Sequence, residues 1–335
     1  MTIYDLIEET LKNRTKKFAV MYHFEKRPKM RIKIILILIF VPFALFGQKR
    51  TNFSKLIEET NHYLNNYSKL SPFGGYYAIS DFRLSKQEVK ELIEDADYDG
   101  MLTKNKDSIK GFHIISFFQE KIENRIEQIV KHPDFLKNDI TELIKGNELS
   151  IVKSDDNKLF NFSFDEKTGG SYRSQISKMY YFDEQTNKIV DISDNSTFAG
   201  DGYYEIYNLE TDEGTKYILT GFVRGCSYCF ETFVQLINND LNEEFGYAVN
   251  NRDWNDGVTY NHETKTINVD YHIDDLTPHC HCEGEIQEDK FYYDKFAKND
   301  TSINCKCKFI FNGKTFELVE ESWKRVSNEE RKESN

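Results

Sequence analysis

Leu159-Phe160-Asn161-Phe162-Ser163-Phe164 (LFNFSF) decides the fold, because its aromatic residues recur at every second position. That period puts Phe160, Phe162 and Phe164 on one face of a strand, with Asp156-Asn157 as the turn before it. Downstream, short runs of the same kind follow: KMYYF (178–182), KIVDI (188–192), GYYEIYNL (202–209), KYILTGF (216–222), FGYAV (245–249), TINVDYHI (266–273), KFYYDKF (290–296), CKCKFIF (305–311) and KTFELV (314–319). With turn signals at Asp212-Glu213-Gly214 and Asn312-Gly313, they predict an antiparallel meander. The cleanest run is TINVDYHI. Ile267, Val269, Tyr271 and Ile273 are expected to face inward, with Asn268, Asp270, His272 and Asp274 toward water.

Upstream of Leu149 the period is helical. Phe53, Leu56, Ile57, Tyr63 and Leu64 make one amphipathic face, and Ser85 with Glu88 three residues on is a capping-box signature. From Phe112 a longer helix is expected, with Ile122, Ile126, Ile129 and Val130 on one side, although its opening Ile-Ile-Ser-Phe-Phe also fits a strand. NDITELIKG closes the helical region at Gly146. The expected class is therefore α+β: a helical region over 48–146, then a mainly antiparallel β-meander domain over 147–326, closing as a barrel or propeller-like sheet. The polar residues 327–335 are expected to be a disordered tail.

The leader is MRIKIILILIFVPFALFGQ, Met30 to Gln48. Arg31 and Lys33 precede an apolar run from Ile34 to Gly47, the layout of a secretory signal with cleavage before Gln48. The run is too short for a comfortable membrane span and Pro42 interrupts it, so signal residues 30–47 are preferred to an inner-membrane anchor at residues 34–47. Residues 1–29 are expected to be a mis-called upstream extension, with Met30 the true start. The rival reading is a cytosolic tail on that anchor. Residues 1–47 carry 9 Lys+Arg and 4 Asp+Glu, so a chain starting at Gln48 has 35 basic and 52 acidic residues, net −17. Such a surface repels phosphate backbones and excludes nucleic acid as a partner. The expected place is secreted or periplasmic, with membrane contact only during export.

The stretch Asp156 to Arg173, DNKLFNFSFDEKTGGSYR, resembles a recurring motif in a family of uncharacterised secreted proteins from Bacteroidota-type bacteria. Lys158, Leu159, Ser163, Asp165, Thr168, Gly169, Gly170 and Arg173 match it, and Phe162 and Phe164 stand where that family prefers Tyr and Trp. Asn157 replaces its Gly, Phe160 its Arg and Ser171 its Thr. The leader ending FGQ is also similar. The resemblance implies export and a helix-then-strand layout, and no activity.

Six cysteines form three pairs: Cys226 and Cys229 in CSYC, Cys280 and Cys282 in CHC, Cys305 and Cys307 in CKC. A two-residue Asn312-Gly313 hairpin would set Phe309 opposite Phe316 and Cys307 opposite Leu318, with both CKC thiols on the apolar face. Residues two apart on one strand are poorly placed to bond each other, so CHC is their expected partner, Cys280 and Cys282 bridging to Cys305 and Cys307. An even count in an exported chain favours disulfides at all six positions, with pairing open among 15 connectivities.

Two other chemistries compete for these residues. Cys280, Cys282, Cys305 and Cys307, with His279 or His281 as alternates, would suit structural zinc, though two CxC pairs are not zinc-ribbon spacing. CSYC followed by Phe230, Phe233, Val234 and Ile237 at helical spacing looks like the active-site turn of thioredoxin-type proteins. There Cys226 would be nucleophile and Cys229 resolver, and a helix dipole would lower the first thiol's pKa. Against it, FETFVQLI alternates at period 2 almost as well, and the flanks are a meander. Asp95, Asp97 and Asp99 with Gly100 match half a calcium loop, but the position that should hold a bidentate Glu is Lys106. No G-x-S-x-G, P-loop or dinucleotide fingerprint occurs. The expectation is thus a non-enzymatic, disulfide-stabilised binding or structural module for an unknown protein or cell-envelope ligand, needing no cofactor.

Overall fold

Asn52 opens helix α1 (Phe53–Tyr67) by accepting a hydrogen bond from Ser54 N at 2.9 Å on its side chain. The computed structural model describes residues 52–98, 100–144, 148–169, 174–224, 230–251, 256–274, 282 and 301–327. The signal segment, the proposed extension, the alternative anchor, Gly146, KFYYDKF and the tail beyond Ser327 lie outside them. Among the described residues no helix is long and apolar enough to cross a membrane.

Helix α2 (Lys86–Tyr98) starts with the expected capping box. Glu88 N donates to Ser85 Oγ at 3.3 Å, and Ser85 N donates back to Glu88 Oε2 at 2.8 Å. Helix α3 (Gly111–Val130) includes the ambiguous Ile-Ile-Ser-Phe-Phe, which is helical, and α4 (Ile140–Leu143) is a single turn. A small two-stranded antiparallel sheet that the sequence did not announce, β1 (Tyr76–Ala78) with β2 (Ser108–Lys110), lies among the helices.

The rest is strand, in three four-stranded antiparallel meanders taken in chain order. The first holds β3 (Ser150–Lys153), β4 (Leu159–Asp165), β5 (Gln175–Asp183) and β6 (Lys188–Asp191). The second holds β7 (Gly202–Thr211), β8 (Gly214–Arg224), β9 (Phe230–Ile237) and β10 (Glu243–Asn251). The third holds β11 (Gly257–Asn261), β12 (Thr266–Asp274), β13 (Thr301–Phe311) and β14 (Phe316–Ser327). The class is α+β, as expected. Among the described residues the strands from β3 onward divide into three separate sheets rather than one closed barrel, each the four-stranded unit that a propeller blade uses.

The packing is layered. Phe160, Phe162, Phe164 and Tyr180 of the first sheet share a core with Leu56, Leu64, Phe118, Ile122 and Ile126 of the helices. Helices and β-strands therefore share one packed interior rather than being tethered. Leu159 and Met179, on the sheet's other face, pack with Ile206, Tyr217, Leu219, Phe233 and Ile237 of the second sheet. That sheet in turn sets Ile218, Val234, Leu236 and Val249 against Ile267, Val269, Cys307 and Phe309 of the third. LFNFSF is accordingly buried at all six positions. Its polar members are satisfied across the strand pair: Asn161 Nδ2 donates to Ser177 Oγ at 2.9 Å and to the Lys178 carbonyl at 3.3 Å.

The β13–β14 turn differs from expectation. Phe311 pairs with Phe316 and Phe309 with Leu318, so the loop is four residues rather than two. A type I′ turn needs positive φ at both central residues, and here only Gly313 has it, at +101°. The Asn312 side chain instead accepts from Lys314 N and Thr315 N at 2.9 Å, an Asx arrangement that holds the wider loop. A bulge between Lys308 and Phe309 then shifts the register by one, so Cys307 faces Glu321 rather than Leu318, and Cys305 faces Trp323.

Candidate functional site

Strand alternation carries Cys305 and Cys307 to the buried face of β13, beside Tyr271 and Val269 of β12. Cys307 is bonded to Cys282, with Cα atoms 5.6 Å apart, and both residues are fully buried. This is one of the expected bridges between CHC and CKC. Cys305 is also disulfide-bonded. Cys280, Cys226, Cys229, His279 and His281 lie outside the described residues. The Tyr247 hydroxyl sits 3.8 Å from Cys307 Sγ, so the bridge is part of the core between the second and third sheets.

A zinc site needs thiolates, and a sulfur in a disulfide is not one. With Cys282, Cys305 and Cys307 oxidised, the four-cysteine set is unavailable to a metal in this structure. Among the described residues no group of three or more His, Cys, Asp and Glu is gathered to hold an ion.

The redox reading meets a different obstacle. It requires a helix after CSYC, whose dipole would stabilise the thiolate of Cys226. Phe230–Ile237 is instead strand β9, hydrogen-bonded between β8 and β10. Phe233 and Ile237 turn to the first sheet while Val234 turns to the third, the alternation of a central strand buried on both faces. The helical spacing of Phe230, Phe233, Val234 and Ile237 was therefore accidental.

The calcium reading fails on local geometry. Asp95 and Asp97 belong to the last turns of α2, not to a loop. Gly100, at φ +68°, ends that helix: Met101 N donates to Ala96 O at 2.8 Å and Gly100 N to Asp97 O at 3.3 Å, a Schellman motif. Lys106 Nζ lies 2.6 Å from Asp97 Oδ2, so an ammonium already neutralises that carboxylate. Asp99 lies outside the described residues.

TINVDYHI turns Ile267 and Val269 inward as expected, but its polar side is not simply wet. His272 Nδ1 is 2.6 Å from Oδ1 of the buried Asp256, and Asn304 Nδ2 donates to Asp270 Oδ1 at 2.6 Å. A histidine oriented by a carboxylate is two-thirds of a nucleophilic triad. Here the pair ties Asp256, just before β11, to β12.

The structure adds a polar groove of about 540 Å³ between the three longer helices, lined by Glu59, Tyr63, Glu88, Glu91, Lys121 and Arg125 among others. Arg125 Nε donates to Glu59 Oε2 at 2.7 Å and its guanidinium stands 5.7 Å from the Tyr63 ring centre. Lys121 reaches Glu91 at 2.8 Å, and the Tyr63 hydroxyl donates to Glu88 Oε1 at 2.6 Å. Burial, and then the Glu88 bond, push the Tyr63 phenol far above its usual range, so it stays protonated. Burial alone would raise the Glu88 carboxyl, but bonds from Ser85 and Tyr63 outweigh it and the net shift is downward. Glu59 and Glu91 are thus each set beside a cation, Arg125 and Lys121 respectively. Sequence reasoning found Glu88 through its cap and Tyr63 through its helical face, and missed Glu59, Glu91, Lys121 and Arg125, because pairing between helices leaves no local pattern.

No protein-family model matches the chain, and no curated protein matches it either.

Proposed function

We propose that the protein is an exported, non-enzymatic binding or structural module, built as a helix-backed stack of β-sheets and held together by disulfides. The observation that carries this reading is the Cys282–Cys307 bridge, buried between the second and third sheets. Disulfides in the interior persist where the surroundings are oxidising, which suits a chain with a signal-like leader at Met30–Gly47. The strand after CSYC and the oxidised state of Cys282, Cys305 and Cys307 support binding or scaffolding over thiol or metal chemistry. The similarity of Asp156–Arg173 to secreted proteins points the same way.

Mass spectrometry of the protein recovered from the exported fraction, with and without reduction and alkylation, tests this. The expected species begins at Gln48 and weighs ~6 Da less than its reduced form, the mark of three disulfides. A chain retained in the cytosol with free thiols would overturn the proposal. Disulfide-exchange turnover abolished by Cys226→Ser would replace it with the oxidoreductase reading.

A further inference from the structure

Lysine is seldom fully buried unless it is paired, and Lys216 of β8 is only 3% exposed. Its Nζ donates to Glu244 Oε2 at 2.7 Å, to Glu213 Oε2 at 2.9 Å and to the Lys314 carbonyl at 3.3 Å. The other oxygen of the Glu244 carboxylate is also engaged: Asn238 Nδ2 donates to Oε1 at 3.0 Å. Asn238 stands one step past Ile237, the last residue of β9, and Lys216 one step before Tyr217, which pairs with Ile237. In continuation of that register the two are cross-strand neighbours, and one carboxylate from β10 holds both.

The Asn238 carbonyl oxygen is fixed as well. Asp240 N and Asn242 N each donate to Oδ1 at 3.0 Å. Two backbone N–H groups thus face the atom on which negative charge would gather if the amide carbon were attacked. An amine, an amide carbonyl set between N–H donors, and a carboxylate that touches both the amine and the amide nitrogen are the parts of a transamidation.

We infer that Lys216 and Asn238 join as an intramolecular amide, with Glu244 carrying the protons and ammonia leaving. Burial lowers the Lys216 pKa, but the bonds to Glu244 and Glu213 outweigh it and hold the ammonium. The reaction therefore starts with one proton passing from Nζ to Glu244 Oε2, a transfer that burial favours because it neutralises two charges at once. The neutral amine attacks Asn238 Cγ, forming the Nζ–Cγ bond, and the oxyanion develops on Oδ1 between Asp240 N and Asn242 N. Glu244 delivers its proton to Nδ2 and takes a second from Nζ, and the Cγ–Nδ2 bond breaks as the carbonyl re-forms. Ammonia departs with that second proton as ammonium, and Glu244 is again a carboxylate. No oxidant or co-reactant enters the balance. The new bond fastens β8 to the turn between β9 and β10, at the end of the second sheet that touches the β13–β14 turn through Lys314.

The test is the mass of the exported full chain after reduction and alkylation, followed by peptide mapping. Bond formation leaves the chain about 17 Da lighter than its sequence requires, and digestion yields one branched peptide containing both Lys216 and Asn238. A chain beginning at Gln48 can also release ammonia by cyclising that residue, so the branched peptide decides rather than the mass alone. Lys216→Arg keeps the positive charge but should form no branch. Glu244→Gln keeps the shape of the side chain and should slow branch formation about a hundredfold or more. Separate Lys216 and Asn238 peptides from folded wild type after prolonged incubation would overturn the inference, as would a branch that forms as fast in Glu244→Gln. Where a variant does not fold, the wild-type map still decides.

Discussion

Glu88 shows how much one side chain carries here. It closes the cap of α2, receives the Tyr63 hydroxyl from α1 and lies near Lys121 of α3, so one carboxylate ties three helices. Its folded pKa is depressed from 4.5. A group depressed in this way stabilises the fold above its unfolded pKa, and the contribution fades as pH falls through the folded value. Glu88→Gln should therefore cost about 1 kcal/mol at neutral pH, the usual worth of a helix cap. The gap from wild type should close as the pH is lowered below about 4.5. Denaturant midpoints at a series of pH values between neutrality and 3 would show it, and a gap independent of pH would mean that shape rather than charge is at stake. Residues of the Asp156–Arg173 stretch act in a similar linking way. Tyr217 of the second sheet donates to Asp156 Oδ2 at 2.9 Å, and Tyr67 of α1 donates to the Asp165 carbonyl at 2.6 Å. Asn157, where the resembled family has glycine, takes φ +56°, a left-handed position that Asn tolerates better than most residues. The described part of this stretch thus links helices, first sheet and second sheet.

At the scale of elements, the disulfide fastens the turn at Cys282 onto the middle of β13, closing a loop with a sequence separation of 25. Loop closure of that length is worth about 3 kcal/mol against the unfolded chain. The double variant C282S/C307S should lose roughly that much under oxidising conditions, while wild type and the double variant, both reduced, should unfold at similar denaturant concentrations. Equal stability of the oxidised proteins would mean the bridge adds nothing to the buried face. Much of this level was legible in the sequence. The helical face of α1, the capping box of α2 and eight of the nine downstream runs, all but the undescribed KFYYDKF, correspond to observed strands and helices, because each carries its own period or cap. What was missed has physical reasons. Strand β9 is central and buried on both faces, so its apolar residues lose the clean alternation that marks a half-wet strand. The bulge before Phe309 leaves no composition signal, yet it turns Glu321 and Trp323 onto the cysteine face. The Asn312 side chain overrode the hairpin that Asn-Gly usually makes.

For the whole molecule the governing fact is that both faces of the first and second sheets are buried. Sequence periodicity reports which residues face inward from one strand, but the order of layers depends on contacts between residues far apart in the chain. That is why stacked sheets rather than a barrel could not be read in advance. Layering makes the first sheet the joint of the structure: Phe162 packs toward the helices with no exposed surface, and its neighbours Leu159 and Met179 pack toward the second sheet. Removing its ring leaves a cavity on one side of a sheet whose other side depends on the same backbone. Phe162→Ala should cost about 3–5 kcal/mol. The loss should be shared by both halves, because Phe160, Phe162 and Phe164 belong to the same buried cluster as the helical residues Leu56, Phe118 and Ile122. Helical signal in the far-ultraviolet and, in a Trp254→Phe background, the emission of Trp323 in the third sheet should then fall in one coincident transition, lowered equally in the variant. Two separated transitions, with only the helical one moved by Phe162→Ala, would show instead that the layers unfold one after another, each interface holding by itself as in a repeat protein.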